Sequence, residues 1–299
     1  MRKHYTEEYE ALFDHQVEPG SDPAHQVSMD EYLEEKRASH LIGYRAKTIV
    51  CGEMTEVEIF PILSVPGGKR QSKARATSAA QERVNRRHAE KKFIRIVNCN
   101  FTKKDLAITL TYAGDAPTLE QAQKDVQKYV RRINAWRKRR GWPSAKYVYV
   151  IEYEDETGGD GNRIHVHIIM SAMDRDAAEG LWGAGRVNVR RLQPDEYGLE
   201  AIGKYMLKAP KGKKRWGYSK GLKKPKVTVA EKKFTRRAVE QMVMDFERAP
   251  KEVLTRLYKG HDFLDCVIYT SDWIPGAFIY AKLRRRGKDE RDRRPRRTE

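Results

Sequence analysis

From Ala145 to Ser171 the chain reads AKYVYVIEYEDETGGDGNRIHVHIIMS. Two runs rich in β-branched and aromatic residues, 145–153 and 163–171, flank DETGGDGN, a cluster of turn formers, and this spacing predicts an antiparallel hairpin. Upstream, LAITLTY (106–112) reads as a strand and TLEQAQKDVQKYVRRINAWRKRRG (118–141) as an amphipathic helix stopped by a glycine. Downstream, a short helix over 174–182, a strand GRVNVRRL (185–192) and a helix over 194–208 follow. The order β-α-β-β-α-β-α predicts an α+β fold: an antiparallel sheet of ferredoxin-like, split βαβ type, with two helices on a single face and the other face left for a ligand.

Outside this block the pattern is looser. Residues 45–62 alternate apolar and polar positions, and residues 70–97 read as a long basic helix. That helix either lies along a polyanion or is a solvated helix packing Val84, Phe93 and Ile96 on the core. Residues 227–283 hold a helical stretch (229–249) and apolar strands around 266–283. Residues 5–35 are acidic, and arginine dominates from Lys282 onward. The expected organisation is an acidic N-terminal arm (1–44), one domain (45–226), an accessory segment packed on it (227–283) and a basic disordered tail (284–299).

The 299 residues carry 60 Lys and Arg against 42 Asp and Glu, a formal net charge of +18. Such an excess suits a polyanion, nucleic acid above all, although many soluble proteins are basic. Cys51, Cys99 and Cys266 are odd in number and lack CxxC spacing, which argues against a disulfide framework or a zinc knuckle and fits a reducing cytoplasm. No long uncharged apolar run occurs, so neither secretion nor membrane spanning is expected.

Residues i and i+2 of a strand share a face, so His165 and His167 project together while Val166 turns into the hydrophobic layer. Taken alone, His-x-His is more often a pair of packing or surface histidines. Glu152 on the partner strand supplies a carboxylate, and two nitrogens with one oxygen admit Mg²⁺ or Mn²⁺. Glu154, two residues on, is the reserve ligand. In the helix 194–208, Tyr205 and Lys208 lie three positions apart on one face with Lys204 nearby, an arrangement suited to a phenolic nucleophile and a cation that steadies negative charge. The bland reading is a half-buried core tyrosine and a solvated lysine. After them KAPKGKKRWGYSKGLKKPK (208–226) sets Lys211, Lys213, Lys214 and Arg215 beside Trp216 and Tyr218, a mixture suited to phosphate neutralisation with base stacking, or equally a solvated loop anchored by one tryptophan.

Three of these segments together resemble the motifs of the HUH endonucleases that start rolling-circle replication of small phages and plasmids, especially the replication proteins of filamentous and related phages. AITLTY (107–112) is similar to the first motif, HVH (165–167) to the histidine motif and YMLK (205–208) to the Tyr-x-x-Lys motif. The resemblance spans about residues 45–225. It implies Tyr205 as nicking nucleophile, Lys208 as the residue positioning phosphate or metal, and His165, His167 and Glu152 as ligands of a divalent ion. It also implies a 5′-phosphotyrosine with a free 3′-OH, a single-stranded origin as substrate and a host helicase and polymerase as partners in a bacterial cytoplasm. Positions 201 and 209 are alanine, so this is a one-tyrosine pattern, and Tyr197 is a poor substitute. PGGKRQSK lacks phosphate-binding-loop spacing, so unwinding falls to a partner. A plasmid relaxase or single-strand transposase uses the same chemistry. A non-catalytic single-strand or RNA-binding module is a further alternative, against which stands the want of an aromatic RNP1 pattern.

Overall fold

The computed structural model describes residues 41–63, 79–114, 117–152, 164–208, 216–270 and 275–287, with residues 79–84 as backbone only. The loop 153–163 with Glu154, the stretch 209–215 with Lys211, Lys213, Lys214 and Arg215, the segment PGGKRQSK and both predicted arms up to residue 40 and from 288 lie outside the described residues. Two compact units divide the chain: residues 89–225 form one, and residues up to 88 with those from 226 form the other.

The unit 89–225 holds the predicted block. Its strands β3 (Leu106–Leu110), β4 (Tyr147–Glu152), β5 (His165–Met170), β6 (Val187–Arg191) and β7 (Trp216–Tyr218) make a sheet in the order β6-β3-β5-β4-β7, every neighbouring pair antiparallel. The first four strands give the ferredoxin-like order, and β7 extends it at the β4 edge. Helix α2 (Leu119–Lys138) crosses from β3 to β4, its N-terminus capped by the Thr118 hydroxyl, which accepts from the Gln121 N–H. Helix α3 (Arg175–Gly180), capped by Asp174, crosses from β5 to β6. Both rest on one face: Val126, Tyr129 and Ile133 of α2 and Ala178 of α3 are buried with Leu106, Ile108, Val166 and Ile168 of the strands.

The opposite face is not left bare, which corrects the expectation of a free sheet face. Phe93, Ile96 and Val97 of α1 (Ala79–Asn100) and Met206 of α4 (Glu200–Leu207) are buried there with Val148, Val150 and Ile169. Burying those strand residues requires a second apolar layer, and only the strand ends beyond it stay open. α4 is also shorter than the expected helix 194–208. Asp195 turns back to accept from the Tyr197 N–H and Gly198 takes a φ of 71°, so the helix starts only at Glu200.

The second unit is a sheet in the order β8-β1-β2-β10-β9, again wholly antiparallel. The alternating run expected at 45–62 is the hairpin β1 (Leu41–Cys51) and β2 (Met54–Leu63), whose turn uses Gly52 at a φ of 64°. Strands β8 (Lys226–Ala230), β9 (His261–Thr270) and β10 (Ala277–Arg285) complete it. Helices α5 (Arg236–Met244) and α6 (Ala249–Leu257) bury Val239, Met242, Val253 and Leu254 against Val57, Ile59 and Ile279 on one face. The expected domain start at 45 thus falls inside β1, and the expected end at 226 falls at the first residue of β8. Residues 227–230, read as the approach to a helix, are a strand because Val227, Thr228 and Val229 are β-branched; the helix waits for the Thr235 cap. The first arginines assigned to the tail are likewise ordered: Arg284 pairs with Glu53 at 3.2 Å and Arg286 with Asp262 at 2.8 Å.

Candidate active site

Strand register brings the histidines and the acid together. Glu152 and His165 are direct cross-strand partners at the open end of the β4/β5 hairpin, and His167 lies one pleat further in, opposite Val150. Glu152 Oε2 stands 3.0 Å from His167 Nε2 and 4.0 Å from His165 Nδ1. The His167 side chain is 9% exposed, whereas those of His165 and Glu152 are 40% and 35% exposed, so the site has a buried anchor and an accessible rim. Val166 is fully buried on the α2 side, as the alternation requires.

Thr109 is a participant that the sequence reading passed over. Its Oγ1 lies 3.3 Å from His167 Nδ1, across the β3/β5 pairing that sets Thr109 opposite His167. A hydroxyl both donates and accepts, so it satisfies Nδ1 in either tautomer. With Nε2 donating to Glu152, Nδ1 accepts from Thr109; with the Nε2 lone pair given to a metal, Nδ1–H donates to Thr109 instead. The segment AITLTY carried the signal: alternation puts Thr109 on the face of the histidines once β3 and β5 are known to be neighbours.

Tyr205 joins them from α4. Its ring meets that of His167 edge to face with centroids 5.4 Å apart, and it is 63% exposed while Met206 beside it is buried. The half-buried core tyrosine of the bland reading is therefore not what stands here. Two contacts seat α4. A Cβ on Gly203 would lie 2.8 Å from Ile94 Cγ1 of α1, so only glycine permits this approach, and Asn98 Oδ1 of α1 accepts from the Leu199 N–H at 2.8 Å.

The remaining expected residues fall into two groups. Lys208 is the exposed C-cap of α4, one turn beyond Tyr205, with its backbone N–H donating to the Tyr205 carbonyl. Lys204 Nζ lies 2.7 Å from Glu200 Oε1. Trp216 is not on a loop: it sits on β7, edge-on to Phe93 at 5.6 Å, and Tyr218 stacks on it at 5.5 Å while remaining 45% exposed.

Among the described residues no group of three or more His, Cys, Asp or Glu side chains forms a ready metal cluster. The donors nevertheless suit one. Ligand atoms about 2.1 Å from an octahedral ion lie roughly 3 Å apart at right angles and about 4 Å apart when opposed, a span that covers the 3.0 and 4.0 Å separations around the Glu152 carboxylate. Two imidazole nitrogens and one oxygen suit a first-row or Mg²⁺-like ion, with Glu152 turning from hydrogen-bond acceptor to ligand.

Residues 105–210 match the family model of a replication-associated protein, the ORF2 and gene 2 protein family. The matched stretch runs from β3 through α4 and contains Thr109, Glu152, His165, His167, Tyr205 and Lys208. Compared with curated proteins and with solved structures, the chain matches none. Among the described residues no helix is long and apolar enough to cross a membrane.

Proposed function

We propose that this protein initiates rolling-circle replication by nicking and rejoining single-stranded DNA through Tyr205. A replication initiator role is what the match over residues 105–210 supports. The observation that carries the chemistry is the contact between an exposed phenol and a buried imidazole, 5.4 Å between rings, beside a carboxylate 3.0 Å from that imidazole. Attack by the Tyr205 Oη on phosphorus forms a phosphotyrosine at the 5′ end as the P–O3′ bond breaks, and the 3′ oxygen leaves as a hydroxyl once it takes a proton. His165, His167 and Glu152 would hold a divalent ion, Mg²⁺ or Mn²⁺, which supplies Lewis acidity and a template for the phosphate. Lys208 follows Tyr205 by three positions and offers a cation for the phosphate oxygens. Attack by the 3′-OH on the phosphotyrosine reverses the step and reseals the strand. The 3′-OH also primes synthesis, for which the host cytoplasm would provide helicase and polymerase.

The test is covalent capture. Wild type incubated with Mn²⁺ and labelled single strands carrying an origin should give a protease-sensitive adduct that survives denaturation, with label from the 3′ side of the nick. Tyr205→Phe should bind DNA with unchanged affinity yet lose cleavage by at least about a thousandfold. Mapping of the adduct to Tyr197 or Tyr218, or cleavage retained by Tyr205→Phe, overturns the assignment.

A further inference from the structure

On the other side of the same sheet, α2 turns a second set of groups to solvent. Lys124, Lys128, Arg131, Lys138 and Arg139 are all exposed, and at 100° per residue they fall in one stripe opposite the buried Ala122, Val126 and Ile133. They extend over about 22 Å of helix. Among the described residues none of the five has a carboxylate within salt-bridge distance. The acids of α2 lie at its start: Glu120 in the first turn, and Asp125, which accepts from the Gln121 amide and the Tyr112 hydroxyl.

At the end of that stripe stands a fixed aromatic plane. Gly141 at a φ of 70° ends the helix, and Trp142 follows with its backbone N–H donating to the Arg137 carbonyl at 3.0 Å. Arg137 is buried, donates to Pro143 O at 2.7 Å and Ala172 O at 2.9 Å, and sets its guanidinium 5.3 Å from the Trp142 ring. Trp136 meets Trp142 edge to face at 5.6 Å, and the Arg140 guanidinium covers Trp136 at 3.7 Å. Trp142 is thus held in place by its surroundings and is still 44% exposed. A large ring that is both ordered and solvated costs little further entropy on binding a second flat group.

We propose that the outer face of α2 with the Trp142 ring is a second binding surface for single-stranded DNA, the phosphates along the cations and a base on Trp142. Charge complementarity selects a polyanion. The fixed ring selects an unpaired base, because in a duplex the base faces are already stacked. This surface backs onto the sheet face opposite His167, and Trp142 precedes the Tyr147 end of β4 whereas Glu152 closes the other end. It would hold a stretch of strand apart from the one at Tyr205. The inference rests on the reading of the chain as a protein that handles single-stranded DNA.

The test uses the full chain, a 40-nucleotide oligo(dT) and a 40-base-pair duplex. Trp142→Ala should weaken oligo(dT) binding about tenfold. Replacing Lys124, Lys128, Arg131 and Lys138 with Gln should weaken it at least as much and make the log–log salt dependence shallower by about 0.7 for each phosphate no longer neutralised. Both variants should keep the Tyr205 adduct at saturating DNA. Oligo(dT) affinities within twofold of wild type overturn the proposal, as does a loss of duplex binding in the charge variant with Trp142→Ala unaffected. If wild type forms no adduct yet the variants lose affinity, the surface stands and the nicking reading falls; if wild type binds no single strand, both fall.

Discussion

The sheet of β8, β1, β2, β10 and β9 and the sheet of β6, β3, β5, β4 and β7 are both five-stranded and antiparallel, and each buries two helices on one face. They differ in where they keep their charges. In the first, Lys47 and Glu58 are cross-strand partners in mid-strand, 3.3 Å apart, with side chains only 8% and 3% exposed. In the second, Glu152 and His165 are cross-strand partners at a strand end, each about a third exposed or more, with His167 as a buried anchor behind them. A buried pair in mid-sheet has traded its hydration for a partner and has no room for a substrate oxygen. A pair at the sheet's rim keeps both reach and access. The family match falls on the second sheet alone.

Either sheet offers a place to overturn that contrast. The largest effect belongs to the rim: His165→Ala with His167→Ala should remove divalent-dependent nicking by about a thousandfold or more, with circular dichroism and melting near those of wild type. Undiminished cleavage by the folded double variant would sink the metal site. A greater loss in Glu154→Gln than in Glu152→Gln would move the third ligand. In the other sheet Glu58→Ala should cost about 3–5 kcal/mol, because it strands the Lys47 ammonium in the interior. The double replacement Lys47→Met with Glu58→Leu should recover most of that stability in denaturant titrations. A single variant as stable as wild type would show the pair to be better solvated than its burial implies.

Smaller effects refine the picture. Thr109→Val keeps the shape of β3 but removes the hydroxyl behind His167 Nδ1, and should weaken divalent binding or turnover about tenfold. An unchanged metal titration would show that Thr109 does not orient the ring. Least disturbed of all should be Cys266 on β9, whose thiol is pushed up to about 12, first by burial and then by the Asp265 charge. At pH 8 only about one part in ten thousand is thiolate, so iodoacetamide should leave Cys266 unmodified until the protein unfolds. Rapid labelling of native protein would refute that burial.

The hairpin 145–171, the strand 106–110 and helix α2 were legible because each has a period, a cap or a glycine stop of its own, and His165, His167 and Glu152 follow from alternation and a single register. Local pattern also put Tyr205 and Lys208 one turn apart. It could not decide that Tyr205 meets His167, since that contact depends on Gly203 and Asn98 seating α4 against α1, across about a hundred residues of chain. Nor could it decide the partners of β1 and β2. Those strands pair with β8 and β10, contributed by residues 226–285, because an alternating segment states which face is apolar but not which distant edge will satisfy its hydrogen bonds. Short-range periodicity and turn chemistry were enough to specify the ferredoxin-like block and the residue types at its open end. Long-range packing then settled which face of that block is covered, and so which of those residues stay within reach of a substrate.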